Sequence, residues 1–208
     1  MSADAAFPPS FFSRQDPTPD PRFYAVPRLV THIDAGAVAA VGALYDELGI
    51  GGRVLDLMSS WVSHFPVAPA DLVVLGLNAG ELAANPAAAE RVVQDLNADP
   101  ALPFPDASVD HAVCCVSVDY LTRPLEVFRE VARVLRPGGL LVCTFSNRCF
   151  PTKAIRGWLG TDDAGHVRIV RRYFELTPGF GPPSADLRTD PYAAGDPLYG
   201  VWAAKVAS

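Results

Sequence analysis

Along this chain, unbroken apolar runs alternate with longer stretches in which apolar residues recur every three or four positions. The unbroken runs are RVLDL (53–57), DLVVLGL (71–77), RVVQ (91–94), HAVCCVSV (111–118) and LLVCTF (140–145). A strand with one face in water alternates apolar and polar residues. Runs that are apolar throughout therefore predict strands covered on both faces, the signature of a parallel sheet.

The periodic stretches predict helices. From Asp34, residues Val38, Val41, Tyr45 and Leu48 share one helical face, with Asp34 placed to cap the start and Gly49 placed to end it. In PLEVFREVARVLRPGG (124–139), Leu125, Phe128, Val131 and Leu135 share a face, and Pro137, Gly138 and Gly139 stop the helix. After Phe145 the pattern predicts a loop (SNRCFPTK), a helix containing His166 to Phe174, and two closing strands in SADLR (184–188) and LYGVWAAKV (198–206). The expected fold is α/β, a doubly wound and mostly parallel seven-stranded sheet with helices on both faces.

Residues 1–22 carry Pro8, Pro9, Pro17, Pro19 and Pro21 among Ser, Asp and Ala. This composition predicts a flexible N-terminal arm, with Phe7, Phe11 and Phe12 available to dock it. Residues 23–208 read as a single domain, because 208 residues, half of them hydrophobic, suffice for one well-buried core and are short for two.

Charge and cysteine content narrow the partners. A net charge of -6 without any basic run gives no footprint for a polyphosphate backbone, so nucleic acid is not expected. No apolar run approaches the roughly 20 residues that span a bilayer, and no basic segment leads into an apolar signal core, so a soluble cytoplasmic protein off the membrane is expected. Cys114, Cys115, Cys143 and Cys149 lack CxxC spacing and lie in or beside apolar runs, which suits small core residues rather than a metal site.

RVLDLMSSWVSHFP (53–66) reads as a buried strand running into a ligand loop, and LPFPDASVDHAVCCVSVDYLTRPLEVFREVARVLRPGGLLV (102–142) as strand, helix, turn and strand. The order and content of these elements resemble the class I S-adenosylmethionine-dependent methyltransferases, especially the type-11-like domain, over about residues 35–145. The resemblance implies a Rossmann-like sheet with its last strand antiparallel, S-adenosyl-L-methionine as cofactor, and methyl transfer to an unidentified small molecule. The alternative is a non-catalytic protein of this fold acting as a binding or partner subunit.

In that family the first strand ends in an acid followed by a GxGxG loop. Asp56 fits, and the loop here is Met58, Ser59, Ser60, Trp61 and Val62, with the glycine positions reading Met58, Ser60 and Val62. Glycine there tolerates positive φ and lets a ligand lie against the backbone, and β-branched Val62 is the residue least suited to either. Pro66 and Pro69 leave room for at most a turn or two of the next helix, between Ser60 and Phe65. The family's ribose acid aligns with Asn78, and its adenine-reading acid with Asp95, beside Leu96. Asp95 also suits a turn cap with Asn97, and Trp61 suits either an adenine stack or a core plug.

Methyl transfer is an in-line displacement, so the protein supplies position, water exclusion and, where needed, a base. Candidate catalytic groups at the carboxyl ends of strands are His64, Asp119 and Tyr120, His64 by its near-neutral titration. Asn147 and Arg148, after the fifth strand, are expected to bind substrate, with Arg148 suited to an oxyanion or to a surface ion pair. In similar proteins the segment containing Tyr24, Arg28 and His32 lies across the active-site mouth, so these are substrate candidates too. His166, Arg168, Arg171 and Arg172 read as a solvated helix face.

Overall fold

Odd and even residues of the same apolar run face opposite layers. The computed structural model describes residues 6–192 and 194–207. In β1 (Arg53–Leu57), Leu55 and Leu57 join one buried cluster and Val54 the other, and in β2 (Asp71–Gly76), Val73 and Leu75 separate in the same way from Leu72 and Val74. The pattern repeats in β4 (His111–Cys115), with Ala112 and Cys114 set against Val113, and in β5 (Leu140–Phe145), with Leu141 and Cys143 set against Val142. Unbroken apolar runs are required here because both faces are dry.

Together with β3 (Glu90–Val93), β6 (Ser184–Leu187) and β7 (Tyr199–Ala204), these strands form one seven-stranded sheet in the order β3-β2-β1-β4-β5-β7-β6. β1 to β5 run parallel, and β7 is antiparallel to both β5 and β6. The fold is thus the seven-stranded Rossmann-like α/β sheet expected, with its last strand reversed.

Short α1 (Asp20–Phe23) precedes α2 (Ala35–Glu47), which is capped by Asp34 accepting from the Ala37 N–H at 2.8 Å and ends at Gly49, φ 63°. α2 buries Val41, Leu44 and Tyr45 on the Val54 side of the sheet. α3 (Ala79–Ala84) follows β2. On the opposite layer, α4 (Pro124–Val134) starts with proline at N1 and packs Phe128 4.9 Å from Phe174 of α6 (Asp163–Leu176). α5 (Arg156–Leu159) lies between them in sequence after β5. Among the described residues, no helix is long and apolar enough to cross a membrane.

Residues 1–5 of the expected arm lie outside the described residues; from residue 6 onward the arm is docked rather than free. Phe7, Phe11 and Phe12 pack on one another at 4.8 to 5.1 Å, and Phe7 reaches Tyr173 at 5.7 Å. Asp20, nearly fully buried, accepts from Arg14 at 2.8 Å and lies 3.3 Å from the fully buried Lys153 ammonium. Aromatic burial and this internal ion network outweigh the extended bias of the prolines.

The predicted solvated face of α6 holds for Arg168, Arg171 and Arg172, which are exposed, but not for His166. Its ring stacks on Trp158, centroids 3.9 Å apart, with Nε2 3.0 Å from the Trp158 carbonyl. α5 brings that indole under the first turn of α6.

Candidate functional site

The carboxyl ends of β1, β2 and β4 and the loop after β5 border a cavity of about 430 Å³, roofed by a strap formed by residues 24–33. Open α/β sheets bind ligands at this edge. All the sequence candidates except Asp119 line it.

No helix forms between Leu57 and Asp71, so the turn or two expected at Ser60 to Phe65 is absent, as Pro66 and Pro69 would enforce. The strained residues of this loop are Met58 and His64, both at φ 53°, and not Val62. Met58, at the first glycine position, adopts the left-handed conformation that glycine adopts freely, at a cost of roughly 1–2 kcal/mol. Val116, on the cavity wall after β4, is also left-handed at φ 43°. Such strain persists where surrounding contacts over-determine it, commonly at ligand sites.

Those contacts are visible. The Ser59 N–H donates to the Leu75 carbonyl at 2.8 Å, and the loop passes so close to β2 that a Cβ on Gly76 would collide with the Ser59 carbonyl oxygen. The Ser59 hydroxyl donates to Asp56 at 2.7 Å. Asp56 is buried at the end of β1, and burial pushes its carboxyl up to about 6.

Asn78 does not present a free amide to the cavity. Its Oδ1 accepts from the Gly80 and Glu81 N–H groups at 2.9 and 3.1 Å, capping α3, while its Nδ2 donates to the Tyr24 carbonyl at 2.8 Å. Cap and strap thus engage both ends of the amide, at the position where the resemblance implies a weakened ribose contact or a contact to a different ligand. Trp61 likewise holds the strap, its Nε1 donating to the Val30 carbonyl at 3.0 Å.

Asp95 keeps capacity for a ligand while capping its turn. Among the described residues only Oδ1 is engaged, by the Asn97 and Ala98 N–H groups at 2.9 and 3.2 Å. The adjacent Leu96 N–H meets no protein acceptor among the described residues. An unused carboxylate oxygen beside a free amide is an acceptor–donor pair suited to a purine edge.

On the other side, Tyr24, Arg28, His32, Tyr120, Asn147 and Arg148 form the wall with Phe150. The Arg28 guanidinium lies 4.6 Å over the Phe23 ring and 5.4 Å from that of Phe150, and donates to the Phe23 carbonyl at 2.9 Å. Arg148 is largely exposed and pairs with Asp196 at 3.5 Å, the surface ion pair that its sequence context also allowed. The Tyr120 hydroxyl accepts from the Phe150 N–H at 2.8 Å, and burial raises its pKa far above the ordinary phenol value, so it acts as a fixed dipole rather than a base. Burial, and then His32, hold His64 below the usual imidazole pKa, leaving a neutral ring at the cavity wall.

Asp119 is a correction to the catalytic set. It is buried behind the wall, with Oδ2 unpartnered among the described residues, and burial pushes its carboxyl up to about 8. The turn Val118–Tyr120 rotates its side chain off the cavity, in contrast to Tyr120.

Sequence reasoning missed Asp20, Glu81, Asn97, Cys115 and Cys149 as wall residues. Asn97 ties the Asp95 turn to Asp20 at 2.8 Å and to the Tyr120 carbonyl at 2.9 Å. For Glu81 a signal existed, since Asn78 and Glu81 have capping-box spacing. The carboxylate instead accepts from the Arg28 N–H at 2.7 Å and the Ser60 hydroxyl at 2.5 Å. Cys115 and Cys149 are half-buried, unlike core Cys114 and Cys143.

Comparison with known proteins agrees with the fold. A family model described as a methyltransferase domain matches residues 47–143. Malonyl-[acyl-carrier protein] O-methyltransferase from Marinomonas sp. (strain MWYL1) is 30% identical over 66 residues, 32% of this chain and 24% of that protein. The chain thus spans about a quarter of that relative's length. A SAM-dependent methyltransferase from Aquifex aeolicus superposes with a TM-score of 0.58 at 15% identity, over 79% of this chain and 88% of that one. Geranyl diphosphate C-methyltransferase from Streptomyces coelicolor A3(2), in complex with S-adenosyl-L-homocysteine, gives 0.56 at 13% identity, over 81% and 77% of the two chains. At these identities the structural likeness is one of fold.

Proposed function

We propose that this chain, which carries a methyltransferase domain of the class I S-adenosylmethionine-dependent family, transfers a methyl group to a small molecule bound beneath its strap. The observation that carries this reading is convergence: every sequence candidate but Asp119 lines a single cavity at the carboxyl edge of the parallel strands. The adenine end fits a nucleoside, through the unused Asp95 oxygen and the free Leu96 N–H. Asp56 and Ser59 would hold the amino-acid end, with the loop left-handed at Met58 in place of glycine.

S-adenosylmethionine, when bound, supplies an electrophilic methyl on a sulfonium. The work left to the chain is positioning, exclusion of water and proton removal. The strap, fixed by Trp61, Asn78 and Glu81, covers the acceptor side. His64, kept neutral by burial, takes the acceptor's proton. Arg28, Asn147 and Arg148 orient the acceptor, and the cytoplasm is the expected compartment.

A second reading, a non-catalytic partner subunit, is favoured by one observation. Asn78 and Trp61, at positions the family gives to its cofactor, are both engaged in holding the strap.

Calorimetric titration with S-adenosylmethionine and S-adenosylhomocysteine, with NAD as control, separates the two. Micromolar binding of the sulfur nucleosides supports the methyltransferase reading. Absence of heat at millimolar ligand rejects it in favour of the partner subunit.

A further inference from the structure

We propose that the Glu81 carboxylate, and not the Asn78 amide, receives the ribose hydroxyls of the nucleoside. The inference rests on the methyltransferase reading for the identity of that nucleoside, and on the wall geometry for the residue.

Asn78 has no remaining capacity. To meet a diol it would have to uncap α3 or release the strap, since Oδ1 serves two N–H groups and Nδ2 donates to the Tyr24 carbonyl at 2.8 Å and the Ala25 carbonyl at 3.4 Å. Glu81 stands one turn further on and lines the same cavity. It is 8% exposed, between the loop after β1 and the strap.

Among the described residues its hydrogen-bond donors are the Arg28 N–H at 2.7 Å and the Ser60 hydroxyl at 2.5 Å. Neither donor group carries a charge. A carboxylate offers about four acceptor sites, so roughly two remain unfilled. A buried anion with incomplete hydrogen bonding is costly, and charge-assisted bonds are the strong ones. A vicinal diol brings two donors at the spacing of one carboxylate, which is the complement this site lacks.

The consequence is a shared group. The carboxylate that holds the strap through Arg28 N–H also holds the ribose, so nucleoside binding and strap closure report on the same residue.

The test is a cycle between protein and ligand. Wild type and Glu81→Gln are titrated with S-adenosylhomocysteine and with its 2′-deoxy and 3′-deoxy analogues, and in parallel with adenosine and 2′-deoxyadenosine. Removing a charge-assisted bond is expected to weaken S-adenosylhomocysteine about tenfold or more. The loss should be clearly smaller for each deoxy analogue, which keeps only one of the two hydroxyl bonds to the carboxylate.

An equal loss for all ligands would mean that Glu81 acts only through the strap, and it overturns the assignment, as does no loss at all. Should Glu81→Gln unfold, Glu81→Asp keeps the charge and withdraws the carboxylate by one methylene, and the same ribose-dependent loss is expected. A protein that ignores S-adenosylhomocysteine but reads the ribose of adenosine through Glu81 keeps this assignment and loses the proposed function. Silence toward both nucleosides overturns both.

Discussion

The indole of Trp61 donates to the main-chain carbonyl of Val30, thirty-one residues away, and so pins the strap to the loop after β1. The bond is partly solvent-exposed, and a net hydrogen bond of this kind contributes about 1 kcal/mol. Trp61→Phe keeps an aromatic ring and removes the donor. Trypsin cleavage after Arg28 should then quicken by several fold while the global unfolding midpoint stays within a few degrees. An unchanged cleavage rate would mean that Asn78 and Glu81 alone hold the strap.

His64 gives a pH prediction for the proposed reaction. A base works unprotonated, and burial together with His32 holds His64 below the usual imidazole pKa. The rate should therefore rise with pH on a limb centred below about 6.5 and be flat by neutrality. In His64→Gln that limb should vanish and kcat fall by roughly 10²- to 10⁴-fold, with S-adenosylhomocysteine affinity retained. A pH profile identical in the variant would remove His64 from the chemistry.

Much of this architecture was readable before folding, for local reasons. Strand runs such as LLVCTF need burial on both faces, and PLEVFREVARV carries its own start, stripe and stop, so neighbours in sequence decide them. Asp95 was readable because its turn is built from Asn97 and Ala98 beside it. For Glu81 the spacing to Asn78 suggests only a cap, since its strap partner, the Arg28 N–H, lies 53 residues upstream, and the docked arm depends on Lys153 meeting Thr18 across 135 residues. The strap contact of Asn78 with Tyr24, 54 residues away, likewise leaves no trace in local pattern. His166 was misjudged because its partner Trp158 belongs to the preceding helical turn.

Asp119 should lower stability as pH rises. Its carboxyl is raised to about 8 by burial, from 3.8 when unfolded. Between those values the unfolded chain loses a proton that the folded chain keeps, so stability falls across pH 4 to 8 and levels above it. Asp119→Asn retains a polar isostere that needs no ionisation. It should match wild type near pH 4 and become progressively more heat-resistant than wild type toward pH 8. A constant difference in melting temperature across that range would show that Asp119 does not titrate as its burial implies.

Lys153 makes the arm part of the domain. Its ammonium, fully buried, donates to the Thr18 carbonyl at 2.7 Å and lies 3.1 and 3.3 Å from Asp16 and Asp20. Lys153→Met fills similar volume but leaves Asp20 with Arg14 and Asn97 as its remaining donors. Removing one member of a buried ion network typically costs about 3–5 kcal/mol, because the remaining charge stays buried. Urea denaturation should show a loss of this order, and hydrogen exchange should rise first in residues 6–22. Adding Asp20→Asn to Lys153→Met should deepen the loss, since Arg14, itself nearly buried, then keeps no carboxylate partner in the pair. A double variant no worse than Lys153→Met alone would place the stabilisation in the Phe7, Phe11 and Phe12 cluster instead of the charge network.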